Sequence, residues 1–104
     1  MNLVEALLPF TLYNQREVSC TTLIIFLAIA QSEEGVLQAD LPDKLQMSSS
    51  SVSRNCCLLG LKTQKNQNGM GLITREVHPH DARINVLKLT AEGRQLYDQL
   101  LNCL

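Results

Sequence analysis

Between Asp40 and Leu61 the sequence writes two helices with almost nothing between them. Asp40 precedes Leu41-Pro42-Asp43, an N-cap followed by proline in the first turn and an acid near the positive helix end, so a short helix is predicted to about Gln46. Met47-Ser48 leaves room only for a tight turn. Ser48 and Ser49 both suit a helix cap, and behind them Val52, Cys56 and Leu59 recur on one side while Ser50, Arg54, Cys57 and Leu61 point away. Two helices joined so briefly form a helix-turn-helix. The serine run from Ser48 to Ser51 is then a helix entrance rather than a linker.

The flanking segments supply the rest of a core. Leu3, Val4, Leu7 and Leu8 predict a short apolar helix before Pro9 that extends to about Tyr13. Ser19 to Ser32 predicts a central helix, capped by Ser19 or Thr21, with Leu23, Phe26, Leu27 and Ala30 on its inner face and Gly35 as its left-handed C-terminal residue. Downstream, the polar run from Lys62 to Asn68 lacks apolar period and Gly69-Met70-Gly71 breaks the chain. Leu72, Ile73, Arg75 and Val77, a turn at His78-Pro79-His80-Asp81, and Ile84, Val86, Leu87 and Leu89 spell a β-hairpin. Thr90 caps a last helix in which Leu96, Tyr97, Leu100, Leu101 and Leu104 recur at three and four residues. The order predicts a mainly α chain with a small β-hairpin wing, an α+β winged helix-turn-helix.

At 104 residues, 45% of them hydrophobic, residues 1–104 are expected to form one domain around one core. No run of about 18 apolar residues predicts a membrane span, and Met1-Asn2-Leu3-Val4-Glu5 has no basic region ahead of its apolar residues, so a cytoplasmic location is expected. Without a secretory context, Cys20, Cys56, Cys57 and Cys103 read as reduced, small buried hydrophobes, and no Cys-x-x-Cys spacing suggests zinc. His78 and His80 beside Asp81 lack a fourth ligand and read as turn residues, so neither a metal nor another cofactor is expected. The chain has no Gly-x-Ser-x-Gly elbow, no phosphate-cradling glycine loop and no His-Glu-x-x-His, which argues against an enzyme.

Net charge is −1, yet its distribution is uneven. Residues 1–50 hold two bases against six acids, whereas from Lys44 to Lys88 seven bases face only Glu76 and Asp81. A locally basic middle suits a polyanion, although the same pattern also arises on a merely solvated face. The leucines of segments 1–13 and 90–104 exceed what a domain of this size has to bury within itself. They predict a homodimer built on these terminal helices, unless the two segments simply pack on one another.

Three stretches of the sequence resemble the MarR family of bacterial regulators. These are Leu41-Pro-Asp-Lys-Leu-Gln-Met-Ser-Ser-Ser-Ser-Val-Ser-Arg54, Gly71-Leu72-Ile73-x-Arg75, and Asp81-x-Arg83 followed by Leu89-Thr90-x-x-Gly93. The resemblance implies that Arg83 enters the minor groove of duplex DNA while Asp81 supports the wing, consistent with the attraction of a guanidinium to a narrow groove. It also implies that Ser49, Ser50, Ser51, Ser53 and Arg54 line a major-groove recognition helix extending to about Leu61. Lys62, Lys65, Arg75 and Lys88 are candidate phosphate contacts. Two departures from the family pattern stand out: the polar insert carrying Lys62 and Lys65, which resembles short phage or prophage members, and an end at Leu104 where members often continue into further dimerisation helices. A phage origin would place the protein in the cytoplasm of the host cell.

The resulting expectation is a sequence-specific, homodimeric duplex-DNA-binding transcriptional regulator of repressor type. The alternative is a winged-helix interaction module that docks on a polymerase, replication protein or other regulator, in keeping with the acidic first half. No small-molecule effector is legible in either case.

Overall fold

The computed structural model describes residues 3–8, 12–13, 16–17, 19–60 and 69–103. Helix α1 (Leu3–Leu7) is followed by strands β1 (Leu12–Tyr13) and β2 (Arg16–Glu17), which pair antiparallel. The predicted helix therefore does not reach Tyr13: a proline removes a donor and its ring opposes the preceding turn, and Pro9 follows Leu8 directly.

Helix α2 (Cys20–Ala30) begins at Ser19, whose side chain accepts from the Thr22 backbone N–H. Its inner side is wider than the apolar spacing predicted. Ile25, Phe26 and Ile29 are fully buried and Ala28 and Ala30 nearly so, while Leu23 and Leu27 are only partly covered. A helix surrounded by neighbours on several sides carries little periodicity, which is why its burial is hard to read from spacing alone. It closes on Gln31 in the right-handed region, and Gly35, at positive φ, instead leads into strand β3 (Val36–Leu37), which the sequence did not announce.

A 3-10 turn at Gln38–Asp40 leads into α3 (Leu41–Leu45), with proline in its first turn and Gln46 in the left-handed region behind it. Asp40 occupies the cap position but makes no side-chain capping bond. Helix α4 (Ser49–Leu59) follows after three residues, capped by Ser48 onto the Ser51 N–H and ending two residues short of the predicted end, with Gly60 behind it. Its stripe of Val52, Cys56 and Leu59 is buried as the spacing required.

Strands β4 (Ile73–His78) and β5 (Asp81–Leu89) form the wing, and β3 adds to β5, giving a three-stranded antiparallel sheet in the order β3-β5-β4. Helix α5 (Ala91–Asn102), capped by Thr90, closes the fold. The core gathers Ile25, Phe26 and Ile29 of α2, Leu41 of α3, the α4 stripe, Leu72, Ile73 and Leu87 at the wing base, and Leu100 of α5. Complete burial of each such side chain stabilises the fold by about 1.5–3 kcal/mol before entropic costs.

Two close approaches tie the wing to this core. Gly69 packs so tightly on Gly60 that an added Cβ would lie 2.0 Å from the Gly60 carbonyl oxygen. Met70, Leu72 and Gly71 donate to the carbonyls of Leu58, Leu59 and Gly60, covering the open end of α4. The chain thus returns to the point where the polar insert begins. At the other end of the wing, Thr90 donates its backbone N–H to Leu72 and its hydroxyl to the Gly71 carbonyl, while accepting from Gly93. A Cβ on Gly93 would meet the Leu72 carbonyl at 2.0 Å. The Leu-Thr-x-x-Gly spacing is therefore a steric and hydrogen-bonding clamp between α5 and the start of the wing.

Candidate nucleic-acid interface

Helical geometry settles what α4 can present outward. Arg54 stands two residues beyond Val52, about 200° around the axis, and Ser50 lies beside it one turn earlier. Both are exposed, as is Ser49 at the first turn; Ser51 and Ser53 are half-buried on the two flanks of the helix. Ser48, rather than Ser49, performs the capping, accepting from the Ser51 N–H at 3.1 Å. The hydroxyls of Ser49 and Ser50 thus stand at the helix N-terminus, where partial positive charge favours an anion.

The wing tip is built around one carboxylate. Asp81 Oδ1 accepts from both the backbone N–H of Arg83 at 3.0 Å and its Nε at 3.1 Å, and Oδ2 accepts from Nη2 at 3.1 Å. The hydrogen bonds from Arg83 hold the Asp81 carboxyl below its ordinary range and raise the guanidinium in turn. Despite this fork, the Arg83 side chain is 90% exposed. The register explains why it projects: β4 and β5 pair Val77 with Asn85 but His78 with Asp81, so Ala82, Arg83 and Ile84 are an excess on β5 absorbed by a bulge. His80 donates its backbone N–H to His78 Nδ1 at 3.1 Å, and among the described residues no group of three His, Cys, Asp or Glu is arranged to hold a metal.

Arg75 joins the two elements. It shares the strand face of Ile73, and in register it lies opposite Leu87, both core residues. Beyond the edge of that core its Nη1 donates to Cys57 Sγ of α4 at 3.9 Å, so this guanidinium bridges helix and wing. Lys88 belongs to the opposite face of the hairpin, where its ammonium pairs with Glu76 at 3.6 Å beside a cavity of about 380 Å³ lined also by Glu34, Gly35 and Val86. Strand alternation therefore separates Lys88 from the Arg75 face. Lys62 and Lys65 lie outside the described residues.

The cysteines differ from the expectation of four small buried hydrophobes. Only Cys56 is buried, and burial pushes its thiol up, opposed by the nearby Arg75 guanidinium. Cys57 and Cys103 are half-buried, and Cys20, at the first position of α2, is exposed. Sequence reasoning also passed over Asn55. Its carboxamide oxygen accepts from the hydroxyl of Thr22 on α2 and its nitrogen donates to the Ser51 carbonyl at 2.8 Å. Only the polarity of an i, i+4 Ser-Asn pair on α4 hinted at this.

A short helix, a tight turn, a second helix with an outward polar face and a bulged hairpin define a winged helix-turn-helix. No protein-family model matches the chain, and no curated protein matches it. Solved structures do. The chain is similar to the Staphylococcus aureus MepR protein in a MepR–DNA complex, with 21% identity and a TM-score of 0.70 over 96% of this chain and 70% of that one. A MarR-family transcriptional regulator from Rhodococcus sp. RHA1 gives 21% identity and a TM-score of 0.67 over 97% and 61%. MarR itself gives 20% and 0.64 over 83% and 56%. The chain accordingly spans about three-fifths of the length of the regulators it matches. Its fold is the winged-helix fold of MarR-family transcriptional regulators, as the sequence resemblance led us to expect.

Proposed function

We propose that the chain is a sequence-specific duplex-DNA-binding transcriptional regulator, acting as a homodimeric repressor with α4 in the major groove and the wing in the minor groove. The observation that carries this reading is the Asp81–Arg83 fork. A guanidinium held by its own carboxylate on a bulge, and nine-tenths exposed, is pre-oriented for a groove that concentrates negative potential. Ser49, Ser50, Ser51, Ser53 and Arg54 are assigned to base edges and phosphates along α4, and Arg75, with Lys62 and Lys65, to the phosphate backbone. Asp81 serves as the wing support. The DNA complex of the similarly folded MepR supports this assignment by analogy of fold. Repression follows from occupancy alone, since a protein seated on a promoter excludes polymerase.

Binding to duplex DNA measured against salt tests the reading. A DNA reader loses affinity with a log-log slope of about −0.9 for each phosphate neutralised. A flat response, or no binding, favours the interaction module instead, for which the acidic first half of the chain is the argument. Arg54→Ala and Arg83→Ala are each expected to weaken binding to a preferred site about tenfold or more, the loss associated with one charge-assisted contact. Full affinity in both variants would remove these two residues from the interface.

A further inference from the structure

Helix α4 packs on α2 through Val52, Cys56 and Leu59, and such an apolar stripe fixes which side of the helix faces the core but constrains small turns about the helix axis less, because hydrocarbon burial has no direction. Rotation is what matters for a helix that reads bases, since a turn about its axis sweeps Ser50 and Arg54 across the groove. A directional link, the hydrogen bond between Thr22 and Asn55, crosses the seam. Thr22, 1% exposed, is the one buried polar side chain among the described residues. Its hydroxyl donates to Asn55 Oδ1, it lies 3.3 Å from the Ser19 hydroxyl, and Asn55 Nδ2 is committed to the Ser51 carbonyl. Asn55 adjoins Arg54 in sequence and occupies the flank between the buried stripe and the exposed face.

We propose that the Thr22–Asn55 hydrogen bond fixes the rotation of α4 on the core, which makes Thr22 and Asn55 positioning residues that determine base specificity without touching DNA. A rotation of α4 takes the Asn55 oxygen away from the buried Thr22 hydroxyl, which then keeps only the Ser19 hydroxyl, and sliding apolar contacts do not replace the lost bond. Hydrogen bonds are directional where methyl contacts are not, so a single polar pair in an apolar seam favours the one arrangement that keeps it. The inference rests on the DNA-reading function proposed above.

The test compares the full chain with Thr22→Val, which keeps shape but loses the hydroxyl, and with Thr22→Ser, which keeps the hydroxyl. A preferred site is first selected from a random duplex pool with the wild type, and affinity for that site and for random duplex is then measured for each variant. Orientation of the α4 amide vectors is followed without DNA by residual dipolar couplings. Thr22→Val is expected to reduce the ratio of preferred to random binding about tenfold, with an unchanged salt slope, and to alter the α4 couplings; Thr22→Ser restores both. A folded Thr22→Val protein with wild-type ratio and couplings overturns the proposal, as does a Thr22→Ser protein no better than Thr22→Val. Should Thr22→Val not fold, Asn55→Ala, at the half-buried edge of the seam, carries the same expectation and the same refutation. Absence of any wild-type preference among duplexes overturns the DNA reading, and with it the specificity claim, while the couplings still decide whether the hydrogen bond sets α4.

Discussion

Asp81 serves two neighbours at once, the backbone and the guanidinium of Arg83, and the hydrogen bonds define its pH behaviour. A carboxyl whose folded value is depressed contributes its interaction fully above its ordinary range and loses it as pH falls through the lowered value. The fork is therefore expected to persist through neutral and mildly acidic solution and to open only below the usual carboxylate range. The Arg83 Nε–H resonance followed against pH reports this, and its movement near neutrality would contradict the assignment. Arg83 is solvent-exposed and Asp81 only half-buried, so the effect falls on the orientation of Arg83 rather than on global stability. Thiol chemistry divides similarly. Cys20 is expected to react with an aromatic disulfide reagent in the native protein while Cys56 waits for unfolding, since burial both shields the latter and disfavours its thiolate. Rapid native-state labelling of Cys56, located by peptide mapping, would refute this.

The three longest helices each begin with a hydroxyl the sequence displays: Ser19 for α2, Ser48 for α4 and Thr90 for α5. Ser48→Ala is expected to cost about 1 kcal/mol, the usual value for a lost cap, in chemical denaturation. Thr90→Ala removes the cap together with the bond to the Gly71 carbonyl and is expected to cost about 2 kcal/mol. Gly93→Ala forces a methyl against the Leu72 backbone, where no side-chain rotation relieves the contact, and an overpacking cost of about 1–3 kcal/mol is expected. A neutral Gly93→Ala would mean that α5 and the wing base separate freely. These motifs were legible because caps and close approaches depend on residue type at fixed offsets. Strand β3 was not legible, since two residues carry no period and Val36 and Leu37 become a strand only by pairing with Leu87 and Val86.

At the scale of the whole molecule, α1 packs on α5, so the two terminal helices do cover one another in part. Among the described residues Val4 remains 69% exposed and Leu101 48% exposed. Segments 1–13 and 90–104 therefore remain the proposed homodimer surface, and a two-fold dimer would imply a near-palindromic binding site. Leu101→Glu is expected to shift the sedimentation coefficient from dimer to monomer and to weaken DNA binding through lost avidity. A wild-type protein that sediments as a monomer at the concentrations that saturate DNA would remove this surface from the proposal. No described helix is long and apolar enough to cross a membrane.

Local chemistry alone determined the helix-turn-helix, the hairpin turn, the Thr90 cap and the inward stripe of α4, because capping, turn formation and 3.6-residue periodicity involve residues a few positions apart. The bulge that projects Arg83, the Arg75 bridge to Cys57, the pairing of Lys88 with Glu76 across the hairpin and the pairing of Thr22 with Asn55 across 33 positions were decided only by the tertiary structure. Those features depend on strand register and on which helix lies against which. Such long-range geometry is fixed by packing the entire core, and neither spacing nor residue type along the chain encodes it separately.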